Sequence, residues 1–204
     1  AATGPGIGAY VCAILDNGSV VCWGNGFYGQ FGDGTIGFGP GGEDDPWHIR
    51  RTPGYVSLPA GRTATSISGG GGHVCAILDN DSVACWGSNS YGQLGNGVSN
   101  NAWSQGNTGA NDSAIPVIVN FSSSDTPIAL TLPGGAASCA QMDDGSVSCW
   151  GNYEIMGEGF GNPLQPWPCG CITSPDTVGN LTNSSSFVAA SDRDLDGDGT
   201  LNIF

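Results

Sequence analysis

The stretch from residue 11 to residue 24 reads Val11-Cys12-Ala13-Ile14-Leu15-Asp16-Asn17-Gly18-Ser19-Val20-Val21-Cys22-Trp23-Gly24. It recurs, with changes, at residues 74–87 and 138–151, and the two cysteines of each copy are 10 positions apart. Apolar runs on both sides of an Asp/Asn/Gly turn predict a β-hairpin whose three-residue loop ends in the left-handed region. In this register Leu15 faces Ser19, and the cysteines of each copy face each other. We therefore predict three hairpin disulfides: Cys12–Cys22, Cys75–Cys85 and Cys139–Cys149.

A second motif follows the first two hairpins. It reads Trp23-Gly24-Asn25-Gly26-Phe27-Tyr28-Gly29-Gln30-Phe31-Gly32-Asp33-Gly34 and recurs at residues 86–97. Together with the hairpin, this pattern resembles the repeat of the regulator of chromosome condensation family, whose members fold into β-propellers. In the third copy two residues are deleted and Tyr-Gly-Gln is lost, so that only Met156-Gly157-Glu158-Gly159 remains.

The composition and the resemblance together predict an all-β fold. Glycine accounts for 36 of the 204 residues and disfavours long helices. The resemblance implies three propeller-type blades of antiparallel strands, and three blades are too few to close a ring. We therefore expect an open arc, with blades at about 9–68, 69–131 and 132–190, and an acidic tail at 191–204.

One strand of the repeat is missing before the first hairpin. A strand around Ile67 precedes the second hairpin and one around Leu130 precedes the third, but residues 1–8 do not look able to form an equivalent. The equivalent segment after the third hairpin is Phe187-Val188-Ala189-Ala190. We therefore expect residues 187–190 to add as a strand to the first blade of another copy. A head-to-tail contact gives an open filament or a small closed ring, and we favour the filament.

Charge and cysteine content restrict the partners and the compartment. The net charge is −14 with no lysine, which excludes a surface that tracks nucleic-acid phosphates. Eight cysteines at regular spacing indicate an oxidising compartment, and no segment is apolar enough to span a membrane. No nucleophile–base set is visible, so we expect no enzyme activity; His48 and His73 are expected to be ordinary surface or turn residues.

Two cysteines fall outside the hairpin pairs. Cys169 and Cys171 are separated by one glycine, so they either bond to each other in a strained loop or crosslink to another chain. In a secreted protein, Asn-x-Ser/Thr sequons could carry glycans. The sequence has such sequons at Asn17, Asn80, Asn111, Asn120, Asn180 and Asn183.

The acidic tail resembles the calcium loops of thrombospondin type 3 and dockerin-type modules. Carboxylates at alternate positions ahead of a turn glycine, Gly199, suit the hard Ca²⁺ ion. The expected ligands are Asp194, Asp196, Asp198, the Thr200 carbonyl and Asn202. The twelfth loop position would be residue 205, so its bidentate carboxylate is missing. The alternative is a flexible acidic tail or a linker to another domain.

These observations favour a non-enzymatic extracellular structural subunit that assembles with other copies of itself. The alternative is a secreted propeller-type module that binds or inhibits another protein. Polymer formation by the purified protein would favour the first hypothesis, and a tight complex between a monomer and one partner would favour the second. Nucleotide exchange on a small GTPase, the role of nuclear family members, does not fit the compartment, the blade number or the acidity.

We expect Ca²⁺ to bind the tail with a dissociation constant of about 10⁻⁴–10⁻³ M, as in other extracellular modules. Isothermal titration calorimetry should detect this binding in the intact chain and none in a chain truncated after Ser191. Equal Ca²⁺ binding by the two chains would contradict the assignment.

Overall fold

The structure is a computed structural model, and it describes residues 1–4, 9–37, 49–99, 111–122, 124, 126–132, 135–152 and 171–180. Within these residues the chain consists of strands, turns and loops, without a helix. The strands form three antiparallel four-stranded sheets that follow one another along the chain. The expected all-β fold is confirmed.

Each sheet consists of four consecutive strands in chain order. The first contains β1 (Ala2–Gly4), β2 (Tyr10–Ile14), β3 (Val20–Asn25) and β4 (Ile49–Tyr55). The second contains β5 (Ala64–Gly69), β6 (His73–Leu78), β7 (Val83–Gly87) and β8 (Ser113–Ile118). The third contains β9 (Pro127–Thr131), β10 (Ala137–Met142), β11 (Ser146–Asn152) and β12 (Cys171–Asn180).

The two central strands of each sheet form the predicted hairpin. Cys12 lies opposite Cys22, and the same register recurs in the second and third sheets. Each pair is joined by a disulfide, with Cα atoms 4.1 Å apart. The loops end on Gly18, Asp81 and Gly145 with φ of 77°, 64° and 86°, the left-handed region that the sequence pattern requires.

The expectation that residues 1–8 supply no strand to the first sheet is wrong. β1 pairs with β2, with Ala2 opposite Cys12 and Gly4 opposite Tyr10. Strand pairing needs only backbone groups and a side chain that fits, and the small Ala2 is buried at this edge. We expect residues 187–190 of another copy to pair with this edge of the first sheet. From Tyr10 to Cys12, however, the edge is already paired with β1 of the same chain. Residues 187–190 themselves lie outside the described residues.

Consecutive sheets pack face to face with their innermost strands in contact. β1 and β2 contact β5, and β5 and β6 contact β9. One apolar core lies between the first and second sheets, and a second core lies between the second and third sheets. β6 and β7, in the middle, are buried along their whole length, as expected for strands covered on both faces. The three sheets thus form an open arc.

A repeated hydrogen bond crosses each boundary between sheets. The indole nitrogen Nε1 of Trp86 donates to the carbonyl oxygen of Gln30 at 2.9 Å, and Nε1 of Trp150 donates to that of Gln93 at 2.9 Å. The accepting loop is fixed internally, since the side-chain Oε1 of each glutamine accepts the backbone N–H two residues earlier at 2.8 Å. The second sequence motif of one repeat therefore holds the tryptophan of the next.

Two glycines allow these loops to approach the tryptophans. Gly32 and Gly95 have φ of 63° and 66°, in the left-handed region. A Cβ atom on them would lie 2.9 and 2.8 Å from Nε1 of Trp86 and Trp150, respectively. The motif therefore needs glycine there both for its backbone conformation and for its lack of a side chain.

Gly95→Ala should destabilise the protein more than Gly97→Ala. Both substitutions force alanine into the left-handed region, which costs about 1–2 kcal/mol, but the nearest atom to a Cβ at Gly97 is 3.7 Å away. The clash with Trp150 should add about 1–3 kcal/mol to the cost at Gly95. Denaturant unfolding with the disulfides oxidised measures the difference. Equal losses for the two variants would show that the loop does not press on the indole.

Candidate protein-interaction surface

A buried polar network crosses the boundary between the second and third sheets. Nε2 of His73 lies 2.8 Å from Oγ of Ser138, and that hydroxyl donates to the carbonyl oxygen of Gln93 at 2.9 Å. Because the serine has a single proton and gives it to Gln93, Nε2 must carry a hydrogen and donate to Ser138. Both side chains are fully buried.

This His–Ser pair is structural. Burial lowers the pKa of His73 to about 3, so the imidazole stays neutral. The serine proton is committed to a backbone carbonyl, and no solvent reaches either side chain. A hydrolytic pair needs an accessible hydroxyl whose proton the histidine can accept, and the arrangement offers neither.

The expectation that His73 is a surface or turn residue is wrong, since it lies in β6 and is buried. The repeat indicates this burial. His73 lies opposite Gly87 in the second sheet and Tyr10 lies opposite Gly24 in the first, so His73 and Tyr10 occupy equivalent positions. The Tyr10 hydroxyl donates across the first boundary, 2.8 Å from the carbonyl oxygen of Gly70. Both residues therefore link their own sheet to the next.

The outer strands β4 and β8 present large apolar side chains to solvent. Tyr55 and Ile49 on β4 are 66% and 46% exposed, and Ile115 and Ile118 on β8 are 52% and 45% exposed. Tyr55 lies opposite Val21 and Ile118 opposite Ala84, which are equivalent positions of the first two sheets. We call Ile49, Tyr55, Ile115 and Ile118 the outer row.

Two of the four arginines are engaged in ion pairs. Arg50 pairs with Asp33 and stacks on the Phe31 ring, 4.2 Å from its centroid. Arg62 lies 3.7 Å from a carboxylate oxygen of Asp79. The hydrogen bonds from Thr35 and Arg50 lower the pKa of Asp33 although partial burial opposes them. Arg51, on β4 between Ile49 and Tyr55, is exposed and places a positive charge beside the outer row.

Several predicted site residues fall outside the described structure. They are Asp194, Asp196, Asp198, Thr200 and Asn202 of the calcium loop, Phe187 to Ala190, Cys169 and Asn183. Cys171 and Asn180 lie at the two ends of β12, where only the backbone is described. In the described part of the chain, no three His, Cys, Asp or Glu residues cluster to hold a metal ion. Nor does any described helix have the length and apolarity to cross a membrane.

Besides Asn180, four sequon asparagines lie in the described part, with their side chains. Asn17 and Asn80 are exposed in the hairpin loops, Asn120 is exposed, and Asn111 is partly buried. The Nδ2 atom of Asn111, to which a glycan would be attached, donates to the carbonyl oxygen of Ser99 at 2.8 Å. The hairpin asparagines accept hydrogen bonds through Oδ1, Asn17 from the backbone N–H of Ser19 and Asn80 from the hydroxyl of Ser82.

The hairpins and the glutamine loops carry a known repeat. Residues 9–30 and 64–93 match the Regulator of chromosome condensation (RCC1) repeat. The two matched segments end at or just after Gln30 and Gln93, and each contains a complete hairpin. The first two sheets thus contain the RCC1 repeat signature together with the loop that binds the next tryptophan.

Two solved structures share this fold. Yeast RCC1 (Prp20), solved with Kap60 bound, gives a TM-score of 0.65 at 18% identity over 92% of this chain and 38% of that one. Human WBSCR16 gives 0.62 at 18% identity over 82% of this chain and 36% of that one. The human E3 ubiquitin-protein ligase HERC2 is 34% identical over 88 residues, which are 43% of this chain and 2% of HERC2. The chain therefore spans less than two fifths of the length of each of these three proteins.

Stability should fall below pH 6.5 because of His73. Its pKa is about 3 when folded and about 6.5 when unfolded, so the unfolded chain binds a proton that the native state excludes. The free energy of unfolding should decrease by about 1 kcal/mol per pH unit between roughly pH 6.5 and 4.5. His73→Gln, which keeps an N–H donor but does not titrate, should remove this part of the slope. Unfolding curves of the parent and His73→Gln across that pH range measure this difference. If the free energy of unfolding depended on pH equally in both proteins, His73 would not be its source.

Proposed function

We propose that this chain is a non-enzymatic protein-binding module built of RCC1-type repeats. The observation that carries the proposal is the outer row, four large apolar side chains exposed on the outermost strands of two adjacent sheets. Exposed apolar surface is typical of sites that bind proteins, and each of these two strands carries two large apolar side chains of this kind. The RCC1-type neighbour Prp20 is itself a protein binder, since it was solved with Kap60 bound.

Side-chain contacts, more than strand addition, would drive recognition at the outer row. β4 and β8 are the outer edge strands of their sheets. Pro53 and Pro116 remove a backbone donor from the middle of each, which protects such an edge from unspecific pairing. A partner therefore gains most from burying Tyr55 and the isoleucines, and aromatic residues are favoured anchors in such contacts.

The proposed setting is extracellular. The three intramolecular disulfides persist in oxidising compartments and are rare in the reducing cytosol. Glycans on Asn17 and Asn80 and a calcium ion on the acidic tail belong to the same proposal. Strand donation by residues 187–190 is not part of it, because β1 occupies the inner edge of the first sheet.

Partner capture by the immobilised protein tests the function. The parent, Ile115→Glu and Ala60→Glu chains would be exposed to the medium or extract in which the protein occurs, and retained proteins identified by mass spectrometry. Ala60 is exposed in a turn, so Ala60→Glu matches the added charge away from the outer row. We expect to find proteins that are retained by the parent and by Ala60→Glu but not by Ile115→Glu. Retention of the same proteins by all three chains would refute the outer row as the binding surface.

A further inference from the structure

Every internal boundary of the arc joins two different faces. We call the face that a sheet turns towards the preceding sheet its leading face, and the opposite one its trailing face. The leading face of the second sheet is completely buried. It consists of Val74, Ala76, Ala84 and Trp86, each 0% exposed. The equivalent residues of the third sheet, Ser138, Ala140, Ser148 and Trp150, are also buried.

The first sheet has the same leading face with no sheet against it in the described structure. Val11 lies opposite Trp23, and Ala13 lies opposite Val21, in the register of the buried faces. Val11, Ala13 and Trp23 are only half-buried, whereas their equivalents are inaccessible; Val21 is 7% exposed. Tyr55, opposite Val21, extends this face and is 66% exposed. All five side chains are uncharged.

Trp23 is equivalent to the two tryptophans that donate across the internal boundaries. Trp86 and Trp150 each donate an indole N–H to a glutamine carbonyl of the preceding sheet at 2.9 Å. Among the described residues, no acceptor lies within hydrogen-bond distance of Nε1 of Trp23. The first sheet therefore keeps the donor of the repeated boundary contact without its acceptor.

The opposite end of the arc has the complementary incomplete face. The trailing face of the second sheet contains Cys75, Ile77, Val83 and Cys85, all buried against the third sheet. The equivalents in the third sheet are Cys139, Gln141, Val147 and Cys149. Val147 is only half-buried and Gln141 is exposed. The first and third sheets thus carry the two halves of an interface that the chain builds twice internally.

We propose that the leading face of the first sheet binds the trailing face of the third sheet in a second copy of this chain. The contact repeats the internal boundary, so it joins faces and requires no exchange of strands. Two different faces meet, so the association is head-to-tail and can continue beyond a dimer. Tyr55 belongs both to this face and to the outer row, but Ile115 belongs to the outer row alone, so Ile115→Glu distinguishes a failure of the proposed function from a failure of this contact.

The contact between copies is weaker than the internal boundaries. Gln141 replaces the isoleucine of the second sheet, and the repeat segment that should supply the carbonyl for Trp23 is two residues shorter. The internal boundaries also gain from covalent connection, which keeps the neighbouring sheet at a high effective concentration. Association between copies should therefore be reversible and dependent on concentration.

Two complementary variants test this contact. Ala13→Arg blocks the leading face and Val147→Arg blocks the trailing face, each by placing an uncompensated charge in a closely packed boundary. Sedimentation velocity across a concentration series should show species larger than a monomer for the parent and only monomers for each variant alone. An equimolar mixture of the variants retains one intact pair of faces and should form dimers but nothing larger.

The outcomes separate this contact from its alternatives. A parent that stays monomeric at every concentration, variants that assemble like the parent, or a mixture that stays monomeric would each overturn the proposal. Self-association of Val147→Arg alone would show that two leading faces bind each other, which also overturns it. Tyr55→Glu, at an already exposed position, should weaken assembly without risk to folding, and Ile115→Glu should assemble like the parent. Intact disulfides and a parent-like circular dichroism spectrum establish that each variant is folded.

Discussion

The arrangement of the sheets depends on one hydrogen bond, from a tryptophan indole N–H to a glutamine carbonyl of the preceding sheet. It occurs at both internal boundaries at the same length of 2.9 Å. Each indole is fully buried, so a missing acceptor would leave a desolvated donor at a cost of about 1–3 kcal/mol. The Tyr-Gly-Gln motif meets this requirement: its glutamine side chain fixes the loop and its glycines let the backbone reach the indole.

The two sequence motifs therefore have different structural roles. The disulfide-closed hairpin determines the register within a sheet, and the glutamine loop determines how the next sheet is placed on it. Neither motif alone buries its apolar surface: Val74 and Trp86 are covered only because the first sheet lies against them. An open arc of such repeats therefore has an uncovered leading face at its first sheet and an uncovered trailing face at its last.

Local pattern was sufficient to predict what lies within a hairpin. A loop of fixed length determines the register, so the pairing of Cys12 with Cys22 followed from spacing alone. β1 was missed because three residues carry no periodic signal, and Ala2 forms a strand only because β2 offers it an edge. His73 was misread because a glycine run before a strand looks like a surface turn, and its burial comes from the third sheet, distant in sequence. Trp23 occupies the same repeat position as the buried Trp86 and Trp150 but is only half-buried, because the sequence pattern does not show which faces lack a neighbour.

Hydrogen exchange of the tryptophan indole N–H groups, followed by NMR with assignment by single Trp→Phe variants, tests the role of the indole–carbonyl bond most directly. Buried, hydrogen-bonded groups exchange only when the structure opens, whereas an accessible group exchanges from the native state. The indole protons of Trp86 and Trp150 should exchange slowly, and that of Trp23 should exchange rapidly at a concentration low enough to keep the chain monomeric. Rapid exchange at Trp86 and Trp150, as at Trp23, would show that this bond does not hold the sheets together.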